Sequence, residues 1–218
     1  LCSGENLDKV DNIFKKYSQL MIEKKQAYQL GLTQVWHQFL LNLSDDKKIN
    51  VNFEGLAFNE SKSLPFLQET HNVTTLFAFH SAKMALAYLF SDGKQANEQL
   101  ALAEPLAASV VSLYHFSEFY YYGALVLAKQ CKELSQDSTS FQSTFEKLQK
   151  YHQLLQLWAQ NSPENYLHKA QLITAEIAHI LQQPDAWQLY DKAINSASQQ
   201  GYVQYQAQAQ ELGGQYWL

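Results

Sequence analysis

Helix breakers are scarce in this chain. Its 218 residues hold only 4 Pro and 8 Gly, and most of these fall between stretches in which apolar residues recur every three or four positions. No run of strict apolar/polar alternation is long enough to form a sheet. The pattern therefore predicts an all-α fold of antiparallel helix pairs joined by short turns.

The first helix is expected from about Leu7 to Leu30, on the apolar positions Leu7, Val10, Ile13, Phe14, Tyr17, Leu20 and Met21, with Gly31 as its stop. Thr33 can cap a second helix running to about Leu43. Residues 44–64 are polar and hold Gly55 and the charged run Asp45-Asp46-Lys47-Lys48, which predicts an ordered loop or a short extended excursion. Further helices are expected at about 70–90, 94–107, 113–134, 140–161, 164–181, 185–198 and from 202 to the end. Ser162-Pro163 and Gln183-Pro184 are good helix starts, because Pro fits a first turn and blocks continuation of the preceding helix. The organisation expected is one helical-repeat domain over 1–218, with lead-in helices and a polar loop in 1–69 and repeat-like pairs in 70–218. Leu1 in place of Met, and an end at Tyr216-Trp217-Leu218 without turn residues, suggest a piece of a longer protein.

With 46% hydrophobic and 13% aromatic residues the chain has ample material for a core, and disorder is excluded. The net charge is −5 and every basic residue is Lys, which argues against a nucleic-acid surface. Two cysteines, Cys2 and Cys131, cannot build a disulfide framework and have no metal-ligand spacing. No apolar run approaches a membrane span and no secretory signal is evident, so a reducing, cytoplasmic setting without membrane contact is expected. The N-x-S/T triplets at Asn42, Asn59 and Asn72 are read as chance matches rather than glycan sites.

An internal repeat emerges when residues 82–104 are laid over 172–194. Ala85 falls on Ala175, Ala96 on Ala186, Leu100 on Tyr190 and Ala103 on Ala193. The form A-x3-[LY]-x2-A is the second-helix half of a tetratricopeptide pattern, in which small residues let paired helices approach. Leu212-Gly213-x2-Tyr216 matches the L-G-x2-Y element of a first helix. The Ala spacing is one residue short of the usual motif, and the 113–161 helices exceed a unit of about 34 residues. An irregular tetratricopeptide-like superhelical array is the expectation.

Several phrases carry a more specific resemblance: Ser3-Gly4-Glu5-Asn6-Leu7, Gly55-x2-Phe58-x-Glu60, Phe79-His80-x2-Lys83, Tyr88-Leu89-Phe90 and Phe119-Tyr120-Tyr121-Tyr122. They continue with Pro163-Glu164-Asn165-Tyr166-Leu167-His168-Lys169, Ala175-Glu176, Leu189-Tyr190-Asp191-x-Ala193-Ile194 and Ala209-x-Glu211-Leu212. Over nearly its whole length the chain resembles the helical linker region of large bacterial sensor kinases. Those proteins join a serine/threonine kinase-like domain, a STAND-type ATPase, this helical segment and a GAF and histidine-kinase module. Gly93, Gln210 and Gly213-Gly214 depart from that pattern. The resemblance implies a relay or ligand-sensing role without catalysis in this segment. It also implies that the phosphoacceptor lies in a different domain, so His80 and His168 are not phosphoacceptors here.

A search for chemistry in the residues themselves finds little. There is no G-x4-G-K-[ST] or G-x-G-x2-G loop for a nucleotide. Glu176-x2-His179 would place a carboxylate and an imidazole on one helix face, as in di-iron bundles, but the second E-x2-H such sites need is missing. The remaining histidines, His37, His71, His80, His115, His152 and His168, have no HExxH or close pairing. No catalytic residue, cofactor or metal ligand is therefore expected. Residues 114–122 are so aromatic that one helix cannot bury them all on one face, so either a thick core or a groove must take them. The candidate groove residues are His115, Phe119, Tyr120, Tyr121, Tyr122, His179 and Trp187. Trp36, Trp158, Trp187 and Trp217 are expected as packing anchors, Trp217 partly exposed. The function expected is non-catalytic interaction, relay or sensing in a signalling kinase. Its partners would be neighbouring domains, or a protein or small-molecule ligand. The alternatives are a stand-alone adaptor binding a partner peptide, or a helical-bundle cofactor or metal enzyme seeded by Glu176/His179.

Overall fold

A computed structural model describes residues 4–44, 50–111 and 113–218, and those residues are all-α. The helices are α1 (Leu7–Glu23), α2 (Ala27–Leu43), α3 (Glu60–Glu69), α4 (Val73–Leu89), α5 (Gly93–Ala103), α6 (Tyr114–Glu133), α7 (Thr139–Asn161), α8 (Pro163–Ile180), α9 (Ala186–Gln199) and α10 (Val203–Tyr216). A 3₁₀ turn, Glu104–Ser109, extends α5. Among the described residues the extended backbone amounts to one isolated bridge, Glu54 with Asn59. None of the described helices is long and apolar enough to cross a membrane.

Helix starts are written in side chains. Asn6, Asn59, Asn72, Asp92 and Ser138 each accept a backbone N–H of the first turn that follows, satisfying a donor with no intrahelical partner. The N-x-S/T asparagines thus have structural uses. Asn59 and Asn72 are caps, and buried Asn42 donates from Nδ2 to the carbonyls of Asn50 and Asn52.

Five of the helix connections share one backbone device. After α1, α3, α4, α8 and α9, a residue with positive φ turns the chain: Lys25, His71, Ser91, Gln182 and Gly201. In each case its N–H bonds back three residues and the next N–H bonds back five, as in Ser91 to Tyr88 and Asp92 to Ala87, or Gln182 to His179 and Gln183 to Ala178. This is the Schellman arrangement, which satisfies orphan carbonyls and reverses the chain within three residues. Four of the five positions lack glycine, whose absent Cβ makes the left-handed conformation free of strain. Ser91→Gly and Gln182→Gly are each expected to raise stability by about 0.5–1 kcal/mol, and Gly201→Ala to lower it by about 1 kcal/mol. Urea midpoints would shift in opposite directions for the two classes. A uniform loss on substitution would show that side-chain contacts, not backbone strain, dominate at these turns.

The first helix departs from expectation in an instructive way. It ends at Glu23, with Lys24–Gln26 as the turn, and Gly31 lies inside α2 rather than stopping a helix. A Cβ on Gly31 would come within 3.3 Å of Thr75 Oγ1, so this glycine serves close approach of α2 to α4. Thr33 is likewise interior, its hydroxyl donating to the Gln29 carbonyl. The polar stretch 44–64 also differs, because α3 begins inside it at Glu60; the run 45–49 lies outside the described residues.

The chain divides into two compact units, with the division inside α6 between Phe119 and Tyr120. In the first, α4 is the central element, packed by α2, α3 and α5 and buried on nearly all sides through Leu76, Phe77, Phe79, Met84 and Leu86. Phe53 and Phe58 pin the 50–59 excursion onto Phe79, at centroid distances of 5.5 and 5.6 Å. Gln38 Oε1 accepts the Ala57 and Phe58 N–H groups, and Gly55 sits so close to that amide that a Cβ there would displace it. In the second unit α7, α8, α9 and α10 pack each on the next, around Leu148, Leu155, Leu172, Ile173 and Tyr190. The 90-residue self-similarity coincides with the pairs α4–α5 and α8–α9. Its matched residues, Ala85/Ala175, Ala96/Ala186, Leu100/Tyr190 and Ala103/Ala193, are all buried.

Candidate functional site

The aromatic residues singled out in α6 divide between the two units, His115 and Phe119 in the first and Tyr120, Tyr121 and Tyr122 in the second. In the first unit the His115 ring lies 5.6 Å from Trp36 and 6.2 Å from Phe77, and Phe119 packs on Phe77 at 5.2 Å. Burial pushes the His115 pKa down. In the second unit Tyr120 meets Tyr151 and Trp158 edge-on. Tyr121 is buried outright, and its hydroxyl donates to Gln208 Oε1 at 2.6 Å. Tyr122 is half-buried with its ring edge-on to Tyr121. Phe119 and Tyr121 are core rings, so the thick core accounts for them and neither rims an open groove.

The second unit also holds buried polar groups in aromatic surroundings. Lys169 Nζ lies 4.6 Å from the Tyr205 ring centroid and 5.6 and 5.7 Å from those of Tyr121 and Tyr166. Three ring quadrupoles there contribute to offsetting the desolvation of an ammonium. His168 stacks on Tyr202 at 4.6 Å, and neither of its ring nitrogens has a hydrogen-bond partner among the described residues. Burial, reinforced by the Lys169 charge, takes its pKa down to about 3. It is a neutral core ring.

Glu176 and His179 do share a face of α8, as their spacing predicts. Tyr190 Oη donates to Glu176 Oε1 at 2.5 Å and lies 3.2 Å from His179 Nδ1. A phenol has one proton; since it goes to the carboxylate, His179 Nδ1–H is the donor to the phenol oxygen. Lys132 completes the set with an ion pair to Glu176 at 2.8 Å. The carboxylate is thus committed to a cation and a hydroxyl. Among the described residues no group of three His, Cys, Asp or Glu side chains is placed to hold a metal ion. Cys131 is buried, with its thiol pKa raised to about 11, which leaves it without thiolate reactivity.

On the far side of Tyr190 the surface opens. A cleft of about 270 Å³ between α9 and α10 is lined by Trp187, Tyr190, Asp191, Ile194, Gln210, Gly213, Gly214 and Trp217. Trp187 is 39% exposed and Trp217 70%, with ring centroids 6.4 Å apart and planes 42° from parallel. A Cβ on Gly213 would approach Tyr190 Cβ to 3.2 Å, whereas one on Gly214 would meet open space. Two consecutive glycines therefore bring α10 close to Tyr190 and leave the floor of the cleft bare.

Of the candidate groove residues Trp187 lines this cleft and His179 reaches it indirectly through Tyr190, while Trp217, expected to be partly exposed, lines it as well. Asp191, Gln210 and the glycine pair were missed as site residues. The Gly213-Gly214 dipeptide inside a helical pattern was the available signal, since glycine is costly in a helix interior unless a packing or functional need holds it there. Comparison with protein-family models, curated proteins and solved structures finds no match to this chain.

Proposed function

We propose that this chain is a non-catalytic interaction and relay module, tetratricopeptide-like in build, from a cytoplasmic multidomain signalling kinase, and that the α9–α10 cleft is its docking surface. The observation that carries the reading is the exposed pair Trp187 and Trp217 beside a bare-floored cleft. Large aromatic area held in solvent is unfavourable unless a partner covers it, and tryptophans are enriched among the residues that anchor interfaces. The five identical helix-reversing turns and the buried small-residue repeat support the tetratricopeptide-like description. The kinase setting is supported by the resemblance in its quoted phrases, and with it the expectation that a neighbouring ATPase domain is the partner.

The test is to add the flanking ATPase domain to the purified chain and follow its unfolding. A partner that binds the folded state stabilises it by about 2.7 kcal/mol at one hundred times its Kd. The double variant Trp187→Ala/Trp217→Ala is expected to abolish that gain while changing the chain's own stability by no more than about 0.5 kcal/mol, as for other surface substitutions. A gain that survives in the double variant would remove the cleft from the proposal. Absence of any gain, or of kinase and ATPase sequence beside this segment in its gene, would remove the relay and leave a stand-alone adaptor.

A further inference from the structure

We infer that the α9–α10 cleft seats the side chain of a lysine presented by a partner polypeptide segment, with the Trp187 and Trp217 rings and the Asp191 carboxylate as the recognising groups. This rests on the cleft being a docking surface and adds the chemistry of what docks.

Charge is the first argument. The lining contains one ionised side chain, Asp191, and no cation. Asp191 makes no ion pair or side-chain hydrogen bond among the described residues, so its carboxylate is uncommitted, unlike that of buried Glu176 in the same unit. The rings are the second. Two indole faces at an open angle attract an ammonium electrostatically, tryptophan more strongly than the other aromatics, and an adjacent carboxylate adds to that attraction. The same unit uses this chemistry internally, where Lys169 Nζ sits among Tyr121, Tyr166 and Tyr205.

Size and shape narrow the source of the cation. At about 270 Å³ the cleft lies at the small end of the roughly 300–1,000 Å³ typical of sites that enclose whole small-molecule ligands, and it has room for one projecting side chain. Ile194 and the bare backbone at Gly213 and Gly214 offer apolar contact for a methylene stem, and Gln210 offers an amide to the backbone of the segment that carries it. A lysine uses all of these features together, the stem along the floor and the ammonium between ring faces and carboxylate.

The full chain, labelled with ¹⁵N, would be titrated with acetyl-Gly-Lys-Gly-amide, with its norleucine counterpart and with choline, following the four indole N–H signals assigned by substitution. The signals of Trp187 and Trp217 are expected to move with the lysine peptide while those of Trp36 and Trp158 stay. Norleucine should bind at least about tenfold more weakly, since it keeps the stem and loses the charge. Asp191→Asn should weaken the lysine peptide about fivefold or more and leave norleucine unchanged, and raising salt from about 50 to about 500 mM should act in the same direction. Equal binding of the two peptides would overturn the inference in favour of an apolar site. Choline binding as tightly as the lysine peptide would overturn the assignment to a partner segment. Stationary Trp187 and Trp217 signals would overturn it altogether. If the flanking domain still binds through Trp187 and Trp217 while the lysine peptide does not, the docking surface stands and only its lysine selectivity fails.

Discussion

Replacing His168 with phenylalanine is expected to make the fold markedly more resistant to acid while changing little at neutral pH. His168 is 2% exposed, its imidazole lies against Tyr202 and Tyr205, and among the described residues neither ring nitrogen has a hydrogen-bond partner. Its pKa is lowered from 6.5 to about 3, first by burial and then by the Lys169 charge. Between those two values the unfolded chain binds a proton that the folded chain refuses. Stability is therefore fully present above pH 6.5 and falls as pH drops toward 3. At pH 4 the loss attributable to this ring is on the order of 3 kcal/mol, at about 1.4 kcal/mol per unit. Phenylalanine keeps the stacking area and cannot be protonated, so the difference between wild type and variant should open progressively below pH 6.5. Denaturant unfolding at a series of pH values checks this, and parallel decline of the two proteins would mean that His168 finds a way to water. The variant will still weaken in acid. Burial also lowers the pKa values of His80, His115, His152 and His179, and each contributes a loss of the same sign.

The helices were legible because their signals are local. Periodicity, capping side chains and prolines act within one or two turns, and the elements from α4 onward begin and end within a few residues of expectation. Gly31 misled because a glycine satisfies two different needs, a left-handed C-terminal residue or close helix packing, and only the partner helix decides between them. The residue that turns the chain there is Lys25, which carries no such signature. Residues 50–59 were opaque for a related reason. Their conformation is held by Gln38 and Asn42 from α2 and by Glu60, through side-chain bonds to backbone groups that follow no helical or strand period.

The site was less legible than the fold. Aromatic density drew attention to 114–122, yet in a helix such density fills the core as readily as it lines a groove, and Phe119 and Tyr121 are core. The cleft depends on a subtraction, the missing side chains of Gly213 and Gly214 opposite Tyr190, and its one trace in the sequence is a glycine pair inside a helical pattern, which marks a packing need as readily as a site. The Glu176/His179 spacing was informative about geometry but not about role. Both groups point at Tyr190, and Lys132, from a helix more than forty positions earlier, makes the carboxylate half of an ion pair.

Loss of the Glu60 carboxylate is expected to be among the most damaging single changes in the first unit. Lys83 projects from the buried helix α4 and donates from Nζ to both oxygens of Glu60, at 2.8 and 2.7 Å, with side-chain exposures of only 8% for the lysine and 16% for the glutamate. Its ammonium also lies 5.6 Å from the Phe79 ring centroid. Glu60 stands in the first turn of α3, where the helix dipole favours an anion, and its backbone N–H donates to the Phe53 carbonyl. Glu60→Ala leaves the ammonium buried without its counter-ion, a situation that typically costs about 3–5 kcal/mol. Glu60→Leu/Lys83→Met removes both charges and fills much the same volume, so the double variant should recover most of that loss. Recovery would identify the penalty as an uncompensated charge rather than lost packing. A loss below about 1 kcal/mol in the single variant would mean instead that Lys83 swings out to water, with the pair behaving like an exposed one. Hydrogen exchange at the Phe53 and Phe58 amides adds a second reading, because the excursion they anchor is tied to α3 through Glu60 and should open more readily once that carboxylate is gone.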